Sequence, residues 1–205
     1  MPDANAVPSP VAPSERRAEL LEQLRAATAP QHRRLEARLP FLRNDLDLAT
    51  YRRIIQAYYG FHLPLQRELE RFAVADSERQ KIPALLKDLH ALGLDAGQIG
   101  ALPLCRQLPS TVTEAQRLGV MYVMEGATLG GQVLRRLVQD KLGIAADSGG
   151  EFLDVYGRDT ARLWKAFLAR LSDFDDHDQH GETVEAACAT FGCFEDWLDR
   201  AGVLR

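Results

Sequence analysis

The feature that most constrains this chain is an apolar repeat at steps of three and four that runs from Ser14 almost to the end. Side chains so spaced share one face of a helix, and no stretch alternates with the period of two that a half-buried strand requires. Leu21, Leu24, Thr28, His32, Leu35 and Leu39 form the first stripe. Pro30 interrupts it. Thr28 and Gln31 fit a capping box with Pro30 in the first turn, so a kinked or restarted helix is expected there. Tyr51, Ile54, Ile55, Tyr58, His62, Leu65, Leu69 and Phe72 predict a second helix over about 48–72, bent near Gly60 or Pro64. A short helix over about 83–92 follows, then a loop through Pro103 and Pro109. A capping-box pair at Thr111 and Glu114 opens a helix to about 142, where Gly143, Gly149 and Gly150 break it. Two further helices fit 159–172 (Leu163, Phe167, Leu171) and 182–199 (Val184, Cys188, Phe191, Leu198). The fold class is therefore all-α, with no internal repeat. Residues 1–13, with Pro2, Pro8, Pro10 and Pro13 among small residues, read as a disordered tail before a single domain over 14–205.

Composition removes several classes of function. A chain of 205 residues can bury a sizeable core, and a net charge of -4 leaves no basic footprint for nucleic acid. Cys105, Cys188 and Cys193 form neither a CxxC pair nor an even set, which argues against a disulfide framework and a structural zinc site and fits a reducing compartment. No apolar run approaches a membrane span, and the N-terminus lacks the charged-then-apolar order of a signal peptide, so the expected location is cytoplasmic. DFDDHDQH, residues 173–180, mixes carboxylates with His177 and His180 but has no fixed ligand spacing; it reads as a solvated acidic loop.

Gly126, Gly130 and Gly131 stand inside a strong helical pattern, in MEGATLGGQVL. Each interior glycine costs about 1 kcal/mol relative to alanine, so three cost roughly 3, and something must offset this. Gly126 and Gly130 share a face and leave backbone bare there, where either another helix or a flat ligand could approach closely.

His32 and His62 both sit on apolar stripes, so stripe position does not choose between them. What favours His32 as a ligand is Glu36 one turn on, placed to orient an imidazole. Arg33, Arg34, Arg38 and Arg43 crowd the same region. Cations there would suit a carboxylate-bearing ligand, although a solvated helix face explains most of them.

LRAATAPQHRRLEA, residues 24–37, resembles the proximal-helix motif of haem oxygenases, in which Thr, His and Glu recur at this spacing. YVMEGATLGGQVL, residues 122–134, resembles the glycine-rich distal helix of the same family in its bacterial form. The motifs lie about ninety residues apart, and the resemblance extends over about residues 15–200. It implies a helical bundle with haem sandwiched between a proximal and a distal helix. His32 would be the iron ligand and Glu36 its supporting partner. Gly126 and Gly130 would let the distal helix lie on the haem, with Gly131 helping it bend. Tyr122 would line the pocket, and Phe191 would stand as an aromatic against the haem. Lys165, with Arg162 as alternative, would pair with a propionate.

The same resemblance implies that haem is both cofactor and substrate, consumed with O2 to biliverdin, CO and ferrous iron. Electrons would come from an external ferredoxin or reductase, since no flavin or nucleotide motif is present, and a bilin acceptor such as a phytochrome is a further expected partner. A monomer is expected. One position departs from the pattern: animal members carry aspartate after the first distal glycine, and here it is Ala127. Water over the iron would then be held by backbone carbonyls or by Thr128. A neutral histidine ligand favours O–O cleavage less than a thiolate does, and the distal motif offers no His/Arg acid–base pair of the peroxidase kind. A haem-binding sensor or carrier without turnover would use the same His32 and glycines. A thiaminase-like enzyme would need an activated cysteine, which Cys105 in a proline-flanked loop does not suggest. A helical interaction module would leave the glycines to helix packing alone.

Overall fold

In the computed structural model, which describes residues 13–71, 77–174 and 176–205, seven α-helices account for most of the chain. They are α1 (Pro13–Arg38), α2 (Leu48–Glu70), α3 (Ile82–Ala91), α4 (Ala96–Gly100), α5 (Glu114–Leu142), α6 (Thr160–Asp173) and α7 (His180–Arg200). No strand occurs among the described residues. Residues 1–12 of the expected tail, and Phe72 at the expected end of the second helix, lie outside them. No described helix is long and apolar enough to cross a membrane.

Local chemistry sets most of the boundaries. Asp47 caps α2 by accepting from the Thr50 amide at 2.7 Å. The box that opens α5 is Thr113 with Gln116, not Thr111 with Glu114: Thr113 Oγ1 accepts from the Gln116 amide, and Gln116 Oε1 accepts from the Thr113 amide. Gly143 ends α5 with φ of 71°, a left-handed conformation cheap only for glycine. The expected restart at Pro30 does not occur, and α1 runs unbroken through it. Thr28, expected as a cap, instead donates its hydroxyl to Leu24 O one turn back. The tertiary packing of α1 on α7 outweighs the missing proline donor. α2 is likewise continuous through Gly60 and Pro64. The sequence pattern passed over α4, whose single capping box is Asp95 with Gln98.

The core is built on α2, where Tyr51, Ile54, Ile55, Phe61 and Leu65 are fully buried with Leu85, Leu89, Leu118, Phe167 and Leu198. Gly60 lets the structure close over α2: a Cβ there would lie 2.5 Å from Pro103 O and 2.7 Å from the Trp197 ring. α7 is the shared partner, packing on α5, α1 and α2, whereas α1 and α5 are not packed closely on each other. α7 thus carries both α1 and α5.

Candidate functional site

On α1, His32 is held without being buried. Its side chain is 55% exposed, Nδ1 lies 3.3 Å from Glu36 Oε2, and Phe191 of α7 meets the ring edge-on at 5.9 Å between centroids. With Nδ1–H facing a carboxylate, Nε2 is the nitrogen left to ligate. His62 has the opposite surroundings. It is buried among Tyr58, Phe61, Phe152 and Phe194, and burial with Lys81 nearby pushes it down to about 3, so it stays neutral. The two stripe histidines thus differ sharply in exposure.

The expected arginine cluster is structural. Arg34 and Arg38 converge on the carboxylate of Glu195, Arg38 also reaches Asp199, and Arg43 pairs with Asp45. The Arg34 and Arg38 pairs tie α1 to α7 and hold Glu195 below the ordinary carboxylate range. Gln31 Nε2 adds a bond to Cys188 O at 3.1 Å. Arg25, which the sequence reading passed over, stands close enough to the Tyr122 hydroxyl to influence it. Its signal was available, since it precedes His32 by seven residues, two turns along the same face.

On α5, Gly119, Tyr122, Gly126, Gly130 and Val133 recur at steps of three and four and form one stripe. The stripe begins packed: a Cβ on Gly119 would lie 2.2 Å from Thr183 O of α7. Tyr122 lies near Thr28 of α1, burial pushes its hydroxyl up, and its ring is 6.0 Å from Trp164 of α6. A Cβ on Gly126 would make ordinary contact with Trp164 at 3.8 Å, and one on Gly130 would meet nothing within 4 Å. Beside them Leu129 and Val133 are 46% and 60% exposed. Gly131 differs in kind: a Cβ there would lie 2.0 Å from Leu153 O, so this glycine seats α5 on the turn at Phe152–Asp154.

The nearness of Tyr122 to Thr28 relates the two motifs. His32 is one turn beyond Thr28, and Gly126 is one turn beyond Tyr122. α7 contacts both helices with residue numbers rising together: Gln31 to Cys188 and Arg38 to Asp199 on α1, Gln116 to Glu182 and Gly119 to Ala186 on α5. The helices therefore run in the same sense, with His32 and Gly126 each one turn beyond Thr28 and Tyr122 respectively.

Three further residues complete the comparison with expectation. Thr128 Oγ1 donates to Glu125 O at 2.7 Å, so its proton is committed to its own helix and it can only accept from a water. Arg162 is engaged by Glu78 at 2.8 Å and Asp159 at 3.0 Å. Lys165 is exposed and forms no ion pair among the described residues, which makes it the freer of the two basic candidates. Burial pushes the thiols of Cys105, Cys188 and Cys193 up, the reverse of an activated nucleophile. The described residues contain no group of three or more His, Cys, Asp or Glu able to hold a metal.

The bundle thus sets an exposed imidazole beside a carboxylate on one helix and, on another, a glycine stripe on which a Cβ at Gly130 would meet no atom within 4 Å. The heme oxygenase family model matches residues 18–200, and the chain belongs to that family. A protein named heme oxygenase from Xanthomonas campestris is 30% identical over 162 residues, covering 75% of this chain and 91% of that one. Among solved structures, heme oxygenase from Leptospira interrogans superposes with a TM-score of 0.70 at 19% identity, covering 88% of this chain and 98% of that one. Heme oxygenase-1 from the cyanobacterium Synechocystis in complex with heme gives 0.72 at 19% identity, covering 88% and 91%.

Proposed function

We propose that this protein is a haem oxygenase that opens the haem ring to biliverdin with release of CO and ferrous iron, using O2 and electrons from an external ferredoxin or reductase. The observation that carries the reading is Gly130: it lies mid-helix, a Cβ there would meet no atom within 4 Å, and it shares a stripe with Tyr122 and Gly126. A glycine so costly to a helix and unused by packing is accounted for by a ligand lying on bare backbone. Gly126, against the Trp164 edge, would share that role, and Gly131 would serve the packing of the helix that carries them. Family membership and the names of the relatives support the same assignment.

Haem, when bound, supplies the iron that activates O2 and the porphyrin edge that is oxidised. His32 Nε2 would ligate the iron, with Glu36 fixing the ring and raising the basicity of the ligating nitrogen. Phe191 limits rotation of the imidazole from the α7 side. Tyr122 and Trp164 form an aromatic wall, and Lys165 with Arg25 would meet the propionates from α6 and α1. Without an aspartate at position 127 and with the Thr128 proton committed, ordered water on the distal side would be held by backbone carbonyls of the glycine segment. The protein would act as a cytoplasmic monomer that passes its product to a bilin acceptor such as a phytochrome.

Hemin titration followed by ascorbate or a ferredoxin system tests this. The expected result is a Soret band that decays to a biliverdin spectrum with CO released, and that is altered in His32→Ala. The absence of a distal carboxylic acid favours one second reading, a haem sensor or carrier; a stable complex that never turns over with either donor would establish it instead. No hemin binding would overturn both.

A further inference from the structure

One group of charges takes no part in the site as described. The carboxylate of Glu125 is 4% exposed, on α5, immediately before Gly126. Lys81 Nζ donates to its Oε1 at 2.6 Å, the Tyr156 hydroxyl donates to the same oxygen at 3.1 Å, and Arg79 Nη1 donates to Oε2 at 2.5 Å. Lys81 also donates to the Tyr156 oxygen at 2.7 Å, and Arg79 Nη2 to Leu163 O of α6 at 3.0 Å. One carboxylate therefore joins α5 to the entry of α3, to the turns around residue 156 and to the helix carrying Trp164. Burying three ionised groups together is expensive, and a pair of well-packed apolar residues would hold helices together at least as well. What a buried charge cluster adds is direction, because hydrogen bonds fix rotation where apolar contacts permit sliding.

We infer that Glu125 is a positioning residue for the distal face: held by Lys81, Arg79 and Tyr156, it sets the rotation of α5 about its own axis so that Gly126 and Gly130 face the open side. At about 100° per residue, Gly126 and Gly130 lie roughly 100° and 140° around the helix from Glu125. Fixing the Glu125 direction thus fixes the glycine direction. Gly131, near 240°, lies on the other flank against Leu153, so the helix is held from two sides with the glycine stripe between them. The same cluster grips Leu163, next to Trp164, and so holds the aromatic wall in register with Gly126. The inference rests on the haem reading only for what the stripe faces, not for how the stripe is held.

The test compares Glu125→Gln and Tyr156→Phe with the wild type in two forms. In the apoprotein, hydrogen exchange well below the melting temperature should speed up in residues 120–134 and 160–168 while α2 and α7 keep wild-type protection. In the hemin complex, the affinity should fall roughly tenfold or more for Glu125→Gln, the scale on which a small misplacement acts. The pH midpoint of the ferric spectrum, which reports the distal side, should shift, and Tyr156→Phe should follow the same pattern to a smaller degree. Uniform loss of protection, or lowered melting with unchanged hemin affinity and midpoint, would overturn the inference. Should Glu125→Gln not fold, Tyr156→Phe decides alone by the same two outcomes. If the wild type binds no hemin, the proposed function fails, while the exchange pattern still tests the positioning.

Discussion

The two helices that frame the site are held by opposite physics. α1 is fastened to α7 by ion pairs whose arginines remain partly exposed: Arg34 is 53% and Arg38 34% exposed, both on Glu195. α5 is fastened by close backbone approach at Gly119 and Gly131 and by the buried Glu125 cluster. Exposed pairs are screened by salt and give under strain, whereas backbone-to-backbone contacts admit no extra atom. The α1 attachment thus rests on partly exposed charge pairs and the α5 attachment on close backbone contact and a buried cluster, so the α5 side is the more rigid of the two.

The largest test of the contrast is Gly131→Ala. Its Cβ would fall 2.0 Å from Leu153 O, and we expect a loss of about 3 kcal/mol or more, read as a melting temperature lower by roughly 6–12 °C. A stability within error of wild type would show that the distal wall is not rigid. His32→Ala comes next and separates ligand binding from folding. The side chain is exposed, so apoprotein stability should change by no more than about 0.5 kcal/mol. Hemin affinity should fall further than the roughly 10–100-fold expected for loss of a supporting partner, which Glu36→Ala measures directly. Equal effects of the two variants would remove His32 from the ligand role.

Acid denaturation sharpens the proximal side. Glu195 is held below the ordinary carboxylate range, first by the Arg34 hydrogen bond. Its contribution is complete above that range and disappears as the pH falls through the lowered value. His62 acts earlier. The folded protein keeps it neutral down to about 3 while the unfolded chain takes a proton near 6.5, so stability should decline over that interval. Urea unfolding against pH should show both, and Glu195→Gln should remove only the acidic part and the salt dependence. Were Glu195→Gln to leave the salt dependence intact, the proximal wall would not rest on its ion pairs.

The smallest effect is the most discriminating. Gly130→Ala adds a methyl group where no atom stands within 4 Å and restores helix propensity, so the apoprotein should gain up to about 1 kcal/mol while hemin binds more weakly. Adjacent glycines would then give alanine variants of opposite sign. A destabilised apoprotein would mean that Gly130 is packed after all.

Much of this was legible along the chain because it is local. Period, caps and breakers are settled within a few residues, so α5 could be read to its end at Leu142 and Gly143, and α2, α3, α6 and α7 to within a few residues of their ends. Failures at Pro30 and Thr111 have the same cause: a local signal was outweighed by packing of α1 on α7, or displaced by two residues to the Thr113–Gln116 box. The site was legible as motifs but not as roles. Three glycines with one sequence signature divide into an open one, one in ordinary contact with an indole and one pressed on a carbonyl, and only the positions of Trp164 and Leu153 distinguish them. Arg34 and Arg38, which looked available to a ligand, are taken by residues more than 150 positions away.

By itself, then, the order of residues determined an all-helical chain, a stripe histidine with a glutamate one turn on, and a long helix weakened by glycine, since all of these depend on neighbours within a turn or two. The tertiary structure decided which histidine stays exposed, which glycine is left uncovered, and that Glu125 and Glu195 anchor the two walls. Burial, close approach and charge pairing arise between segments distant in the chain, and no periodicity along one helix encodes what will stand opposite it.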